Sequence, residues 1–418
     1  MILHADGNSF YASCEQIFRP DLRDRPVVVL SNNDGVIIAL NKEAKALGIK
    51  RGDVFFKVRE TCERKNVTVF SSNYTLYADI NRRITSIYLE FAPEIEEYSI
   101  DEAFLFFEKF KLPVNEWQQI GKELKQRIWK EVGMPICVGI APTKTLAKLY
   151  NKRAKEHGGV FVYEEEKVDE LLEKTNCAEI WGIGPAKAKK LALYGIKNAL
   201  MLKNMPLGDA KKLMTVQGFA TVQELRGIAN IDRVTRTKKD VITSSRQFSK
   251  RIYDIETLEC AVVQYTELAV EKLRKQNSEC EMVCIYISTC NYYSDDREKQ
   301  YSNGAYVELS RMTSYTPDIV AAARSILPHL YRSGYGYKSV MITLLKLLPE
   351  ACQGNLWIDP MEDIKKRNFM KTVDKITQTY GRNSITLAKG FEKQNWEMKR
   401  EFLSPCWTTD FSDFPKVH

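Results

Sequence analysis

The sequence predicts an α+β protein of several domains, on three observations. Strand-like and helix-like segments interleave up to about Glu165, residues 168–229 are helical in pattern with no convincing strand, and residues 241–347 run strand, helix, strand, strand, helix, strand. The last order is that of a split βαβ sandwich, a compact α+β unit in its own right. At 418 residues the chain is too long for one small core and about right for two to four domains.

Each element has a local reason. Ile2, Leu3, His4 and Ala5 form a short strand that ends on Asp6. Val27, Val28, Val29 and Leu30 follow Pro26 as a buried-strand run, closed by the turn-rich Ser31-Asn32-Asn33-Asp34-Gly35. Residues 41–47 contain helix formers and stop at Gly48. Residues 95–107 alternate imperfectly, as a hairpin with Ser99-Ile100-Asp101-Glu102 near its bend. Residues 117–132 are helical by period, 136–140 form a strand, and 145–155 are helical again. Residues 231–240 are polar, basic and without apolar period, a linker. After it come a strand at 241–248, an amphipathic helix at 260–274, strands at 282–289 and 305–309, a helix at 316–330 and a strand at 339–347. Beyond Pro349 the chain reads as irregular, with Trp357, Trp396 and Trp407 in it.

Composition narrows the class. Hydrophobic residues at 44% and charged residues at 28% exclude wholesale disorder. No apolar run approaches the roughly 20 residues that span a bilayer, and the first residues lack a secretory signal, so a cytoplasmic protein without membrane contact is expected. The ten cysteines lack paired spacing apart from Cys280 and Cys284, and the four histidines are scattered, so reduced thiols rather than a zinc site are expected. The formal charge of +8 says less than its distribution. Residues 141–155 hold Lys144, Lys148, Lys152, Arg153 and Lys155 and no acid; residues 233–251 hold seven basic residues against Asp240. Either run could be a solvated face, but two in one chain favour a nucleic-acid partner.

Asp6 at a strand end, with Asp101 and Glu102 on a later hairpin, could supply hard oxygen ligands for Mg²⁺ in phosphoryl transfer. Adjacent strand residues face opposite sides, so Asp101 and Glu102 share a site only if the backbone bends there. On the carboxylates alone, an acidic hairpin edge beside Glu94, Glu96 and Glu97 is the plainer reading.

The surrounding segments change that reading. Asp6-Gly7-Asn8-Ser9-Phe10-Tyr11-Ala12-Ser13, Ser99-Ile100-Asp101-Glu102-Ala103 and Gly139-Ile140-Ala141-Pro142-Thr143-Lys144-Thr145-Leu146-Ala147-Lys148 resemble three signature segments of Y-family translesion DNA polymerases. The resemblance is closer still to the UmuC type, the catalytic subunit of bacterial DNA polymerase V. Ser31-Asn32-Asn33-Asp34-Gly35 with Asn41-Lys42-Glu43-Ala44-Lys45-Ala46-Leu47-Gly48, and Gln394-Asn395-Trp396-Glu397-Met398-Lys399-Arg400 with Leu403-Ser404-Pro405 near the end, are similar to segments of that branch, so the likeness runs essentially end to end.

The resemblance implies a right-hand polymerase: palm at 1–13 and 79–165, small fingers at 14–78, a helical thumb at 166–230, the linker at 231–240, a little finger at 241–349 and a partner-binding segment at 350–418. Asp6, Asp101 and Glu102, with the Gly7 carbonyl, would hold two Mg²⁺ ions. Phe10, Tyr11, Lys45 and Lys155 would contact the incoming nucleotide, Tyr11 beneath the sugar where it excludes a 2′-hydroxyl. Many relatives have Tyr and Arg where this chain has Lys42 and Lys45, and an ammonium grips phosphate as a point charge rather than bidentately. Trp181-Gly182-Ile183-Gly184-Pro185-Ala186-Lys187-Ala188-Lys189 reads as a helix-hairpin-helix, with Gly182, Gly184 and Lys187 toward a DNA phosphate. Arg246 would contact DNA from the little finger. Gln353-Gly354-Asn355-Leu356-Trp357 looks like a sliding-clamp peptide, with Gln353, Leu356 and Trp357 as its anchors.

The implied function is error-prone extension of a primer opposite damaged template DNA from deoxynucleoside triphosphates, in the bacterial SOS response. The implied partners are the clamp, a UmuD-type dimer and a RecA-type filament. Another palm-fold enzyme, such as a nucleotidyl cyclase, would keep paired carboxylates without the thumb motif and basic linker. A catalytically silent DNA- and clamp-binding scaffold is the other alternative, and the joint presence of Asp6, Asp101, Glu102, Tyr11 and Lys155 argues against it.

Overall fold

The computed structural model describes residues 1–107, 110, 112–233, 238–289, 300–350, 360–381, 384–387, 390 and 396–414. The chain divides into two compact units, the first made of residues 1–235 and 401–418, the second of residues 236–400.

The first unit begins with β1 (Ile2–Gly7), α1 (Phe10–Ile17), β2 (Val27–Leu30), β3 (Ile37–Leu40), α2 (Lys42–Ala46), α3 (Phe55–Arg64), β4 (Thr68–Ser71) and α4 (Tyr74–Phe91). It continues with β5 (Glu94–Glu97), β6 (Glu102–Phe106), α5 (Val114–Val132), β7 (Ile136–Ala141), α6 (Lys144–Ala154) and β8 (Val160–Val162). Four helices complete it: α7 (Val168–Lys174), α8 (Pro185–Leu193), α9 (Ala199–Asn204) and α10 (Leu207–Leu225). The strands make a five-stranded sheet, β5-β6-β1-β7-β8, and a three-stranded sheet, β3-β2-β4. Every residue of β7 is buried, because the larger sheet is covered on both sides. Ile80 and Ile84 of α4 with Trp117, Leu124 and Ile128 of α5 pack on one face, Leu146, Leu149 and Tyr150 of α6 on the other.

The seat of α6 is close. A Cβ on Gly139 would lie 2.1 Å from the Asn151 backbone nitrogen, so only glycine lets the helix rest on β7. Asn151 Nδ2 donates to the carbonyls of His4 (2.9 Å) and Cys137 (2.7 Å), fixing the helix against β7 and against β1, the strand that carries Asp6.

α7–α10 join the α6 side of this core. Glu224, fully buried near the end of α10, accepts hydrogen bonds from the backbone nitrogens of Thr145 (2.8 Å), Asn230 (3.1 Å) and Ile231 (3.2 Å). Beside it Lys144 Nζ reaches Glu96 Oε2 at 2.6 Å and the Asp232 carbonyl at 2.8 Å, both side chains 3% exposed or less. Removing one member of a buried ion pair strands the other in a poorly polarisable interior. Glu96→Ala is therefore expected to cost the first unit roughly 3–5 kcal/mol, read as a lower denaturation midpoint, whereas a surface acid such as Glu63 should cost under about 1 kcal/mol. An unmoved midpoint for Glu96→Ala would remove the pair from the list of stabilising contacts.

Residues 401–414 return to the first unit as a strap. Ser71 N donates to the Phe402 carbonyl (2.9 Å) and Phe402 N to Ser71 Oγ (3.0 Å), at the open edge of β4. The Phe402 ring meets Phe55 edge-on at 5.7 Å, and Trp407 stacks on Phe18 at 5.9 Å.

The second unit contains β9 (Ile242–Ile252), α11 (Ile255–Lys275), β10 (Ser278–Ser288), β11 (Ser302–Thr313), α12 (Thr316–Leu330), β12 (Tyr337–Pro349) and α13 (Pro360–Tyr380). Its antiparallel sheet runs β11-β10-β12-β9, and α11 and α12 pack on the side of Val283, Ile285, Val340 and Ile342. Residues 360–380, expected to be irregular, form a 21-residue helix. Ion pairs to other segments hold it: Arg274–Asp374 (2.6 Å), Arg311–Asp363 (2.7 Å), Lys366–Asp318 (3.2 Å), Arg367–Glu279 (3.1 Å) and Arg367–Glu350 (3.4 Å).

Candidate active site

β1 delivers Asp6 directly opposite Glu102 of β6, so the two side chains share a face of the sheet. Asp101 lies just before β6, where the backbone bends. The nitrogens of Tyr98 and Ser99 both donate to the Glu102 carbonyl at 3.1 Å, and Gly7 N donates to the Asp101 carbonyl at 2.9 Å. This bend answers the objection that neighbouring strand residues point apart. Ser99 Oγ lies 2.6 Å from Asp101 Oδ1 and 3.3 Å from Glu102 Oε2, so one hydroxyl reaches both carboxylates.

Lysines from the α6 side balance them. Lys155 Nζ is 2.7 Å from Asp6 Oδ2, and Lys148 Nζ is 2.8 Å from Glu102 Oε1. Lys148 also sits over the rings of Tyr98 (4.3 Å) and Trp181 (5.4 Å), favourable places for a cation. Burial raises the Asp6 carboxyl above its usual range; Lys155 pulls it back, and Glu102 and Asp101 push it further up. His4, buried on the same face, is held neutral, its pKa well below the ordinary value through burial first and then Lys148 and Lys155. Sequence reasoning placed Lys148 in a basic run and at the end of a signature segment and Ser99 at the start of another, without giving either a role, and missed His4 as a member of the site. The spacing of Lys144, Lys148 and Lys152, four residues each, was the available signal. It puts the three on one helical face, and each meets a different acid: Glu96, Glu102 and Glu179.

The donor set fits a divalent cation. Carboxylate oxygens are the hard ligands that Mg²⁺ takes, and Glu102 and Asp101 add to the rise that burial gives Asp6, a repulsion that added positive charge would relieve. Among the described residues, no three acidic, imidazole or thiol side chains close around one point; instead Asp6 and Glu102 are each drawn to a lysine.

Gly7 follows Asp6, and a Cβ there would come within 2.8 Å of Phe10 Cδ2. Phe10 is buried and Tyr11 half-buried, the latter stacked on Tyr77 (centroids 4.6 Å, planes 18° apart) and edge-on to Tyr74 (5.8 Å). Lys45 is exposed on α2, with no contact to Asp6 or Glu102. Gly182 has φ +84° and Gly184 caps α8 with Pro185 at its first position, an open hairpin onto which Lys187 folds, Nζ to the Gly182 carbonyl at 3.0 Å. Arg246 is exposed, but lies across from Val340 on the helix-covered side of its sheet, on edge strand β9; its guanidinium bonds the Ser245 carbonyl at 2.9 Å. The uncovered sheet face carries Ser245, Tyr286, Tyr306 and Thr343 instead. Gln353, Leu356 and Trp357 lie outside the described residues.

Solved structures with this layout are Y-family DNA polymerases. A Dbh–Dpo4 chimera of that family aligns with a TM-score of 0.66 at 19% identity, over 84% of this chain and 99% of its own. The insertion ternary complex of Dbh polymerase aligns at 0.55 over the same shares. They define the class by fold: a right-hand polymerase with palm, small fingers, thumb and little finger. Sequence comparison goes further. Residues 5–152 match the impB/mucB/samB family, 239–356 its C-terminal domain, and 367–417 a domain of unknown function (DUF4113). ImpB of Salmonella typhimurium is 38% identical over 99% of both chains, and UmuC of Salmonella typhimurium 37% identical over 100% of both. A DNA polymerase IV of Desulfatibacillum aliphaticivorans is 24% identical over 92% of this chain and 95% of its own. The chain belongs to the impB/mucB/samB family and is a UmuC-type Y-family DNA polymerase; a divalent metal cofactor goes with that membership. No helix among the described residues is long and apolar enough to cross a membrane.

Proposed function

We propose that this polymerase extends a DNA primer opposite damaged template bases, with low fidelity, as part of a bacterial response to DNA damage in the cytoplasm. The observation that carries this reading is the Ser99 bend, which puts Asp101 and Glu102 on one hydroxyl beside Asp6. The five-stranded sheet is then the palm, the three-stranded sheet the core of the fingers, α7–α10 the thumb and the four-stranded sheet that of the little finger.

Two Mg²⁺ ions, held by Asp6, Asp101, Glu102 and the Gly7 carbonyl, would supply activation of the primer 3′-hydroxyl and neutralisation of the triphosphate. The chain's own groups do the rest. Lys155, half exposed and paired with Asp6, would hold an incoming phosphate beside that carboxylate; Lys45 approaches from the fingers. Lys148 stays on Glu102 and orients it. Tyr11 lies under the sugar. The backbone nitrogens at the start of α8, behind Gly182 and Gly184, meet duplex phosphate, with Lys187 beside them; such contacts position the duplex without reading sequence. Arg246 serves the same end from the β9 edge. Gln353, Leu356 and Trp357 dock the sliding clamp, and a UmuD-type dimer and a RecA-type filament complete the assembly.

Primer extension across an abasic site tests this directly. Synthesis past the lesion is expected with Mg²⁺ and the partner dimer and filament present, and none with chelator. Failure on both damaged and intact templates, with DNA still bound, would leave only the scaffold reading.

A further inference from the structure

The strap ends beside Tyr11 through a chain of buried polar groups that the mechanism does not use. Glu15 follows Tyr11 by one turn of α1, so both lie on one face of that helix. Its carboxylate, 1% exposed, accepts from the Tyr77 hydroxyl at 2.6 Å, and the Ser404 hydroxyl lies close enough to lower its pKa. Tyr77 is fully buried, and its ring is the one stacked on Tyr11 at 4.6 Å. Asn73 closes the circuit. Its Oδ1 caps α4, the helix of Tyr74 and Tyr77, by accepting from Leu76 N (3.3 Å). Its Nδ2 donates to the carbonyl and hydroxyl of Ser404, both at 3.1 Å, and to the Pro405 carbonyl at 3.3 Å.

A buried carboxylate must be partnered, and here the partners fix its place. Burial pushes the Glu15 carboxyl up to about 7, while the Tyr77 and Ser404 hydrogen bonds pull it down. Without the Ser404 hydroxyl, Asn73, which caps the helix of Tyr77, loses a partner in the strap, Glu15 loses a neighbouring hydroxyl, and Tyr77 settles in a new place. Tyr11 rests on that ring by its face, so it shifts with it. A steric wall depends on position more steeply than a fold does, since displacement by about 1 Å can cost a well-placed group most of its effect.

We propose that the strap at 401–414 is a positioning element for Tyr11, acting through Ser404, Glu15 and Tyr77, so that the polymerase's choice between deoxyribo- and ribonucleotides depends on its own C-terminal stretch. This gives a role to the last part of the region matched only as a domain of unknown function. It rests on the reading that Tyr11 faces the incoming sugar.

Single-nucleotide insertion on an intact primed template tests it, with the full chain and each sugar in turn, under conditions in which the parent extends. The quantity read is the ratio of kcat/KM for deoxyribo- over ribonucleotide in Ser404→Ala, Tyr77→Phe, Ser404→Thr and Tyr11→Ala. Ser404→Ala and Tyr77→Phe should each lower the ratio by about fivefold or more, from better ribonucleotide insertion. Their deoxyribonucleotide kcat should stay within about twofold of the parent, and Ser404→Thr, which keeps the hydroxyl, should restore the ratio. If Tyr11→Ala lowers the ratio and Ser404→Ala does not, the strap is a fold element only and the sugar reading of Tyr11 stands. If Ser404→Ala depresses both sugars equally, with a lower melting point, the positioning role is likewise lost. If Tyr11→Ala itself leaves the ratio unchanged, the sugar reading fails and this proposal fails with it.

Discussion

Replacing Asp101 with Ala should abolish primer extension, a loss of at least about 10³-fold or roughly 4 kcal/mol of transition-state free energy. Asp101 is half-buried at the hydrophilic mouth of a hairpin, where the Ser99 hydroxyl donates to its Oδ1 at 2.6 Å. Truncation there deletes negative charge without opening a cavity in the core, so the fold should survive. The groups proposed to hold duplex, at α8 and β9, are on other elements, so DNA affinity should stay within about threefold, since surface changes remote from a contact seldom exceed ±0.5 kcal/mol. Extension and equilibrium DNA binding, measured on one preparation, separate the two effects. Asp101→Asn, which keeps size and loses charge, should behave like Asp101→Ala if charge is what matters. Full extension by either variant would sink the assignment of this carboxylate to metal chemistry.

Tyr11→Ala should shift sugar discrimination by ~100-fold, which corresponds to roughly 2.7 kcal/mol of differential transition-state free energy. The ring stacks on Tyr77, meets Tyr74 edge-on and stays partly exposed. Burial, followed by Tyr74 and Asp101, pushes the Tyr11 phenol up to about 12, so the ring meets the nucleotide uncharged. The effect is therefore steric, and should not vary with pH between about 6 and 9, where an unperturbed phenol also stays protonated. The comparison is kcat/KM for each sugar in variant and parent. An unchanged ratio in an active variant would make Tyr11 a packing residue beneath the fingers.

Much of this arrangement was legible before any coordinates. The β1 strand ending on Asp6, the hairpin at residues 99–102 and the helix after Pro142 follow from apolar period and turn chemistry, which act locally. The tail helix was not read, although Glu362 and Asp363 open it and Gly381, at φ +90°, follows its last residue. Its apolar residues Met361, Ile364, Phe369, Met370, Val373 and Ile376 recur at helical spacing, but they are set among charges whose partners come from other elements. α4 was also unread, because its Ile and Thr residues resemble strand composition until Leu76, Tyr77, Ile80, Ile84 and Tyr88 are counted as one face. Within the site, the carboxylates and Tyr11 could be named from motif, but the Ser404–Glu15–Tyr77 circuit could not. It joins residues far apart in sequence by hydrogen bonds that no local pattern encodes. Arg246 shows the converse limit: its charge was visible, while the face it occupies was set by strand register.

The strap also orders events during biosynthesis. Asn73 and Ser404 are separated by 331 positions, which at ~5–20 residues per second is roughly 15 to 70 s of translation. Throughout that interval β4 is an edge strand without its final cover, and Phe55 lacks its aromatic neighbour, the kind of exposed edge that invites pairing with another chain. The N-terminal half is thus left unfinished until the whole second unit has been made. A nascent chain that stalls, or a product clipped ahead of Glu401, keeps that edge open. Closure of the polymerase core therefore waits on residues 401–414, which are made after the whole second unit.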